Sequence, residues 1–218
     1  MSFHRPLTEA VIDGDEDFVR RWLPKTRNLH RTRALAFAVS QENRRMAETL
    51  LRGGAPPQFS PSDELPAAVA YDPYGEGNNE PWVQPLVFAV QRGNLELVKL
   101  LLEYGADINV KSERPYDVAK FYSPLYLAVE ESDEAMVNLL LDRGADPEIT
   151  NEFGEPPLTY AVYREHGAII RSLLAHGANP YGAVDRGGRK LLSFWQMKQS
   201  TFLQLQEAEI EWSKQHPC

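Results

Sequence analysis

The side chains best equipped for chemistry in this 218-residue sequence are a run of carboxylates and two of its five histidines. Glu130, Glu131, Asp133 and Glu134 crowd around Ser132. Carboxylates this close could hold a cation or push one member's pKa upward. A run of this kind is otherwise a solvated helix end, and the surrounding pattern favours that reading. His166 and His176 are read as solvent-facing, one in a turn and the other just ahead of Gly177. None of the five histidines forms the close pairs expected of metal ligands. Gly-x-Ser-x-Gly, the P-loop and Gly-x-Gly-x-x-Gly are all missing from the sequence. Cys218 is the one cysteine, which excludes an intrachain disulfide and a cysteine-based zinc site. The expectation is a protein that is not an enzyme, with no metal and no cofactor.

The elements that would position these residues follow one ruler. The dipeptide Ala-Val recurs at Ala10-Val11, Ala38-Val39, Ala89-Val90, Ala128-Val129 and Ala161-Val162. In the last three copies a Pro-Leu precedes it, at Pro85-Leu86, Pro124-Leu125 and Pro157-Leu158. An apolar run such as Leu100-Leu101-Leu102 follows each, and then Gly-Ala-Asp or a close variant. The clearest unit runs from Gln84 to Lys111. Pro85 suits the first turn of a helix, where its missing N–H would have no helical partner. Leu86, Ala89 and Val90 share a face of that short helix. Gly93-Asn94 turns the chain, and Leu95, Val98, Leu101 and Leu102 form the predicted stripe of a second helix. Gly105 is placed to end that helix in the left-handed conformation.

Leu125 to Leu158 is 33 residues, and Leu158 to Leu192 is 34. A helix–turn–helix of about 33 residues with a Pro-Leu start and a Gly-Ala-Asp end resembles the ankyrin repeat. The resemblance covers about three quarters of the chain. It implies an all-α ankyrin-repeat solenoid of five to six helix–turn–helix units in a single domain, with an irregular insertion after the second. The units fall at about 6–31, 32–57, 83–118, 122–153 and 155–188, with a diverged C-terminal cap at 191–214 marked by Trp195. The family's Thr-Pro-Leu-His opening is degenerate: Val87, Tyr126 and Thr159 stand where it has histidine. The bonds that histidine makes between loops must therefore be replaced or absent.

Two places break the ruler. Leu86 to Leu125 is 39 residues, and the excess is assigned to a loop from Ser112 to Asp117. Leu35 to Leu86 spans 51, which leaves a proline-rich inserted loop at 58–82. Its aromatics Tyr71, Tyr74 and Trp82 favour a loop folded back on the repeats.

In ankyrin proteins the usual contact surface is the concave side, made of loop tips and the outward face of each first helix. By position, the residues just after each Ala-Val are expected to be exposed: Gln91 and Arg92, Glu130 and Glu131, Tyr163 and Arg164, Met197 and Lys198. Tips ahead of each Pro-Leu add Tyr122, Phe153 and Glu155. Aromatics and arginine are the types enriched at binding hot spots. The net charge of −8 is uneven: residues 60–160 hold 6 Lys+Arg against 19 Asp+Glu. An acidic middle would repel a phosphate backbone, so nucleic acid is not the expected partner. The expected partner is another protein with a basic segment, bound by a monomer acting as an adaptor or scaffold. The competing reading is an enzyme or small-molecule binder whose 56–83 insertion closes a pocket over the concave groove. No window is apolar enough to span a membrane and Met1 to Pro6 lacks a secretory layout, so an intracellular site, cytoplasmic or nuclear, is expected.

Overall fold

The structure is a computed structural model that describes residues 6–60, 83–114 and 117–181, with residues 203, 207, 210–212 and 214. Its contacts divide the chain into two compact units, Met1–Phe121 and Tyr122–Cys218. The first holds α1 (Leu7–Ile12), α2 (Glu16–Trp22), a 3-10 turn (Leu23–Lys25), α3 (Asn28–Ser40), α4 (Arg44–Arg52), α5 (Pro85–Gln91) and α6 (Leu95–Glu103). The second holds α7 (Pro124–Glu130), α8 (Glu134–Asp142), α9 (Pro157–Tyr163) and α10 (Gly167–Ala175). In the first unit α3 packs on α1 and α5, while α4 packs on α2 and α6. In the second, α7 packs on α9 and α8 on α10. First helices thus stack on first helices and second on second, which is the helical repeat architecture that the Ala-Val ruler predicts.

The alanines explain the stacking. Ala38, Ala89, Ala128 and Ala161 are fully buried, each letting one first helix approach its neighbour closely. Every residue of α5 from Pro85 to Val90 is buried, so this helix is core on all sides rather than on one face. The stripe of α6 is shifted from the expected one. Leu97, Val98, Leu100 and Leu101 are buried, whereas Leu95 and Leu102 are half-buried. Leu95 opens the helix, where a side chain has no preceding turn to lie on.

Two local features differ from the sequence expectation. The stretch from Ser112, expected as a loop, pairs as a two-stranded hairpin, β1 (Ser112–Arg114) with β2 (Asp117–Tyr122). Backbone pairing thereby takes up the six residues by which this repeat exceeds its period. Helix α3 starts at Asn28, ahead of the unit boundary expected near residue 32, and within it the buried Thr32 hydroxyl donates to the Asn28 carbonyl at 3.1 Å. Of the inserted loop, residues 58–60 are described. Phe59 is buried and its backbone is held at both ends by the Gln84 amide, at 2.9 and 3.4 Å. Tyr71, Tyr74, Trp82, Trp195, Met197 and Lys198 lie outside the described residues. Trp212 is helical and half-buried.

Candidate functional site

Each helix pair turns through one residue in the left-handed region: Gly14, Glu42, Gly93, Ser132 and Glu165, with φ between 55° and 70°. The next residue caps the second helix. Asp15, Asn43, Asn94 and Asp133 each accept from the backbone N–H three residues on, at 3.0–3.1 Å. His166 holds the fifth cap position and makes no side-chain cap; it bonds instead to the Ser132 hydroxyl at 2.6 Å. Asp133 is thereby taken out of the carboxylate run as a helix cap.

The second helices end in the Gly-Ala-Asp turn, and the structure gives its aspartate a reason. Asp107, Asp146 and Asn179 each accept from the backbone N–H two residues on, at 2.9 Å. Successive turns are stitched by a second bond. Gln58 accepts from the Asp107 N–H at 2.7 Å, and Glu148 accepts from the Asn179 N–H at 2.8 Å. Gln58 and Glu148 both stand three residues after the turn alanine, Ala55 and Ala145. Burial pushes the Glu148 carboxyl above its ordinary range; the Asn179 bond opposes this and Asp146 adds to it.

The most developed surface is in the second unit, at the tip between α8 and α9. Asn151 organises it. Its side-chain oxygen accepts from the backbone N–H of Phe153 and of Glu155, both at 2.9 Å. Its amide nitrogen donates to the Tyr126 hydroxyl at 2.9 Å and to the Glu155 carboxylate at 3.0 Å. Gly154, at φ 77°, lets the chain reverse. Tyr126, at the position of the family's histidine, is 4% exposed, and its hydroxyl supplies the loop bond that histidine would make. Val87 supplies none, since its side chain is apolar. The Tyr126 ring lies 6.0 Å from that of Tyr160, and the Arg164 guanidinium lies 5.7 Å over the Tyr160 ring. A continuous chain therefore runs from Glu155 through Asn151, Tyr126 and Tyr160 to Arg164.

The expected site residues fall around that chain. Tyr163 is 78% exposed and Phe153 49% exposed, far more than the other large apolar side chains of the second unit between α7 and α10. Arg164 and Glu131 are exposed, while Glu130 and Glu155 are half-buried. In the first unit Arg92 is exposed and Gln91 half-buried. The first residue after Ala-Val is thus partly covered at Gln91 and Glu130, against expectation. Each is the last residue of its helix, as is the far more exposed Tyr163. Tyr122 ends β2, and its side chain lies outside the described residues. Sequence reasoning missed Tyr126, Asn151 and Tyr160. The signal was present in the substitution of histidine by Tyr126.

His176 is not simply solvent-facing: its ring bonds to the Ser172 carbonyl at 2.8 Å and approaches Asp142 at 3.3 Å. Among the described residues no group of three or more His, Cys, Asp or Glu is placed to hold a metal ion. No helix among them is long and apolar enough to cross a membrane.

Comparison with known proteins agrees with this geometry. Residues 84–113 match the model of the ankyrin repeat, and residues 125–174 match that of ankyrin repeats in many copies. A protein of Treponema pallidum (strain Nichols), described as ankyrin repeat-containing, is 35% identical over 184 residues, covering 82% of this chain and 43% of the relative. The chain thus spans less than half the length of that relative. The crystal structure of the ankyrin repeat domain of Bcl-3, a unique member of the IkappaB protein family, superposes with a TM-score of 0.56 at 23% identity. It covers 94% of this chain and 100% of that one, and shows the shared fold.

Proposed function

Because the chain belongs to the ankyrin-repeat family, we propose that it is a non-catalytic adaptor that holds a partner protein on the side of its first helices and turn tips. Ankyrin repeats are in general protein–protein interaction modules. The observation that carries the reading is the pair Tyr163 and Arg164. Tyr163 is 78% exposed, and the adjacent Arg164 lies over the Tyr160 ring. An exposed aromatic beside a pre-positioned guanidinium is the combination over-represented at binding hot spots. Phe153, on a turn fixed by four Asn151 side-chain bonds, adds a second aromatic that loses little freedom on binding. Glu130, Glu131 and Glu155 supply negative charge around them, which favours a partner with a basic segment. Gln91 and Arg92 hold the same repeat positions in the first unit and belong to the same proposal, as do Tyr122, Met197 and Lys198.

The chain is proposed to act as a monomer. Its mechanism is rigid display, in which stacked helix pairs hold the contact side chains before the partner arrives. The test is affinity purification from the native cell with the wild-type chain and with Tyr163→Ala/Arg164→Ala. Recovery of a specific partner should fall about tenfold or more, the loss of one hot spot. The thermal midpoint should move by no more than about 2 °C, since only one exposed cation–π contact is lost. Undiminished recovery of that partner would overturn the site.

A further inference from the structure

A second surface lies in the first unit, away from the first-helix side. A groove of about 470 Å³ runs between α2 with its 3-10 turn and α4, lined by Arg20, Arg45, Arg52, Glu48 and Thr49 over a floor of Leu23, Pro24 and Gly53. Its walls are fixed by construction. The Arg31 guanidinium donates to the carbonyls of Thr26 at 2.7 Å, Pro24 at 3.0 Å and Gly54 at 3.4 Å, tying the 3-10 turn to the end of α4. A side chain at position 53 would press on the Leu23 side chain, which would have to shift, so glycine there lets Leu23 sit against the end of α4.

The groove is cationic. Arg45 reaches the Glu16 carboxylate through Nε at 2.7 Å, Arg20 reaches the same carboxylate at 3.3 Å, and Arg52 reaches Glu48 at 2.6 Å. Each guanidinium has five N–H donors, and the three side chains are 64–81% exposed, so most of their donor capacity faces water. Helix α4 also opens on Arg44 and Arg45 with no acidic residue in its first turn, whereas α2, α6 and α8 open on acidic residues. Cations at a helix N-terminus oppose the helix dipole, so α4 carries its charge at a cost to its own stability.

We infer that this groove is a docking site for an acidic peptide segment of a partner protein, running in extended form along α4. The spacing selects the occupant. Arg45 and Arg52 are seven residues apart on one helix face, about 10 Å along the axis. Two side chains rooted that far apart suit a pair of carboxylates along a chain better than one compact anion. A polyproline-type chain repeats every three residues with a rise of about 9 Å per turn, so carboxylates at every third residue meet both guanidiniums. Arginine accepts such carboxylates in paired hydrogen bonds. The surface is separate from the one proposed above, so either can fail alone.

The experiment is fluorescence anisotropy on the full chain at low salt with two labelled proline-rich nonapeptides, one with glutamates at positions one, four and seven and one with three adjacent glutamates. The spaced peptide should bind at least about fivefold more tightly, and Arg45→Gln/Arg52→Gln should weaken it at least about tenfold. Arg143→Gln, an exposed arginine of the other unit, should change nothing. Glu48→Gln, which removes the carboxylate paired with Arg52, should tighten binding severalfold and tests the site without loss of a groove cation. No binding, equal binding of the two peptides, or equal loss in Arg143→Gln and the double variant would each overturn the inference. Displacement of the spaced peptide by millimolar inorganic phosphate alone would overturn it too, showing an anion site and not a peptide groove.

Discussion

Asn151→Ala is the most searching perturbation of the turn-tip geometry. The substitution removes four side-chain hydrogen bonds, to Tyr126, Glu155 and the backbone N–H groups of Phe153 and Glu155. Water reaches the Phe153 end, so those bonds sit at the low end of the usual range, about 0.5 kcal/mol each. The Tyr126 hydroxyl is different, because it is buried and loses the donor it accepts from, at about 1–2 kcal/mol. The expected total is about 2.5–3.5 kcal/mol, a fall in thermal midpoint of about 5–14 °C for a chain of this size. Tyr126→Phe removes the same central bond but leaves the Asn151 amide bonded to Glu155, so it should cost about 0.5–1 kcal/mol. The assay is chemical denaturation followed by circular dichroism on both single variants and the double variant. The cycle should return a coupling of about 1 kcal/mol. A Tyr126→Phe cost equal to that of Asn151→Ala, or a coupling near zero, would refute the argument that Tyr126 replaces the family's histidine through this bond.

Two further predictions rest on the repeat itself. Glu42 holds a left-handed turn position, φ 55°, that Gly14 and Gly93 hold elsewhere. A non-glycine residue there costs about 1–2 kcal/mol, and glycine returns about 0.5–1 of that in chain entropy. Glu42→Gly should therefore raise stability by about 0.5–1 kcal/mol by urea denaturation and Gly93→Ala should lower it; the opposite order would show that these turns are unstrained. Glu148→Gln should raise stability at neutral pH, because Gln58 shows that an amide oxygen makes the same bond. The sign follows from the raised carboxyl: its stabilising contribution is present below the ordinary value of 4.5 and is lost as pH rises through the folded value. The advantage of Glu148→Gln, read from thermal midpoints across pH 3–8, should vanish below about pH 4.5. An advantage that persists in acid would sink the assignment.

Much of the fold was legible because one residue type does the limiting work. A buried alanine at each helix–helix approach cannot be enlarged without separating the stack, so Ala-Val recurs and marks the first helices. Glycine at 105 and 144 was legible for the same reason, since a left-handed C-terminal turn admits little else. The left-handed turns at Glu42, Ser132 and Glu165 were not legible, because a non-glycine residue there carries no sequence mark of a left-handed conformation. The hairpin at 112–122 was also hidden. Its residues lack a strict alternation, and what makes them strands is backbone pairing with each other, which no local pattern marks.

The site was less legible than the fold, and the reason is that its members act in relay. Tyr163 and Phe153 could be found by position, since a repeat fixes which residues lie at a tip or a helix end. Tyr126, Asn151 and Tyr160 act one layer beneath, and their value depends on bonds across 25 or more residues of sequence that no local pattern contains. Tyr126 does the loop-closing job of the family's histidine through its hydroxyl and adds a second, packing against the Tyr160 ring over which Arg164 lies. A tyrosine at that position reaches further than a histidine and adds an aromatic face. The substitution that weakens the family signature therefore also builds the feature most particular to this chain. If that is so, restoring the family residue with Tyr126→His should keep the fold while loosening Tyr160 and Arg164 above it. The expected result is a drop in partner recovery with a thermal midpoint within about 2–4 °C of wild type, a change of about 1 kcal/mol. Full recovery of the partner would confine Tyr126 to the loop bond alone.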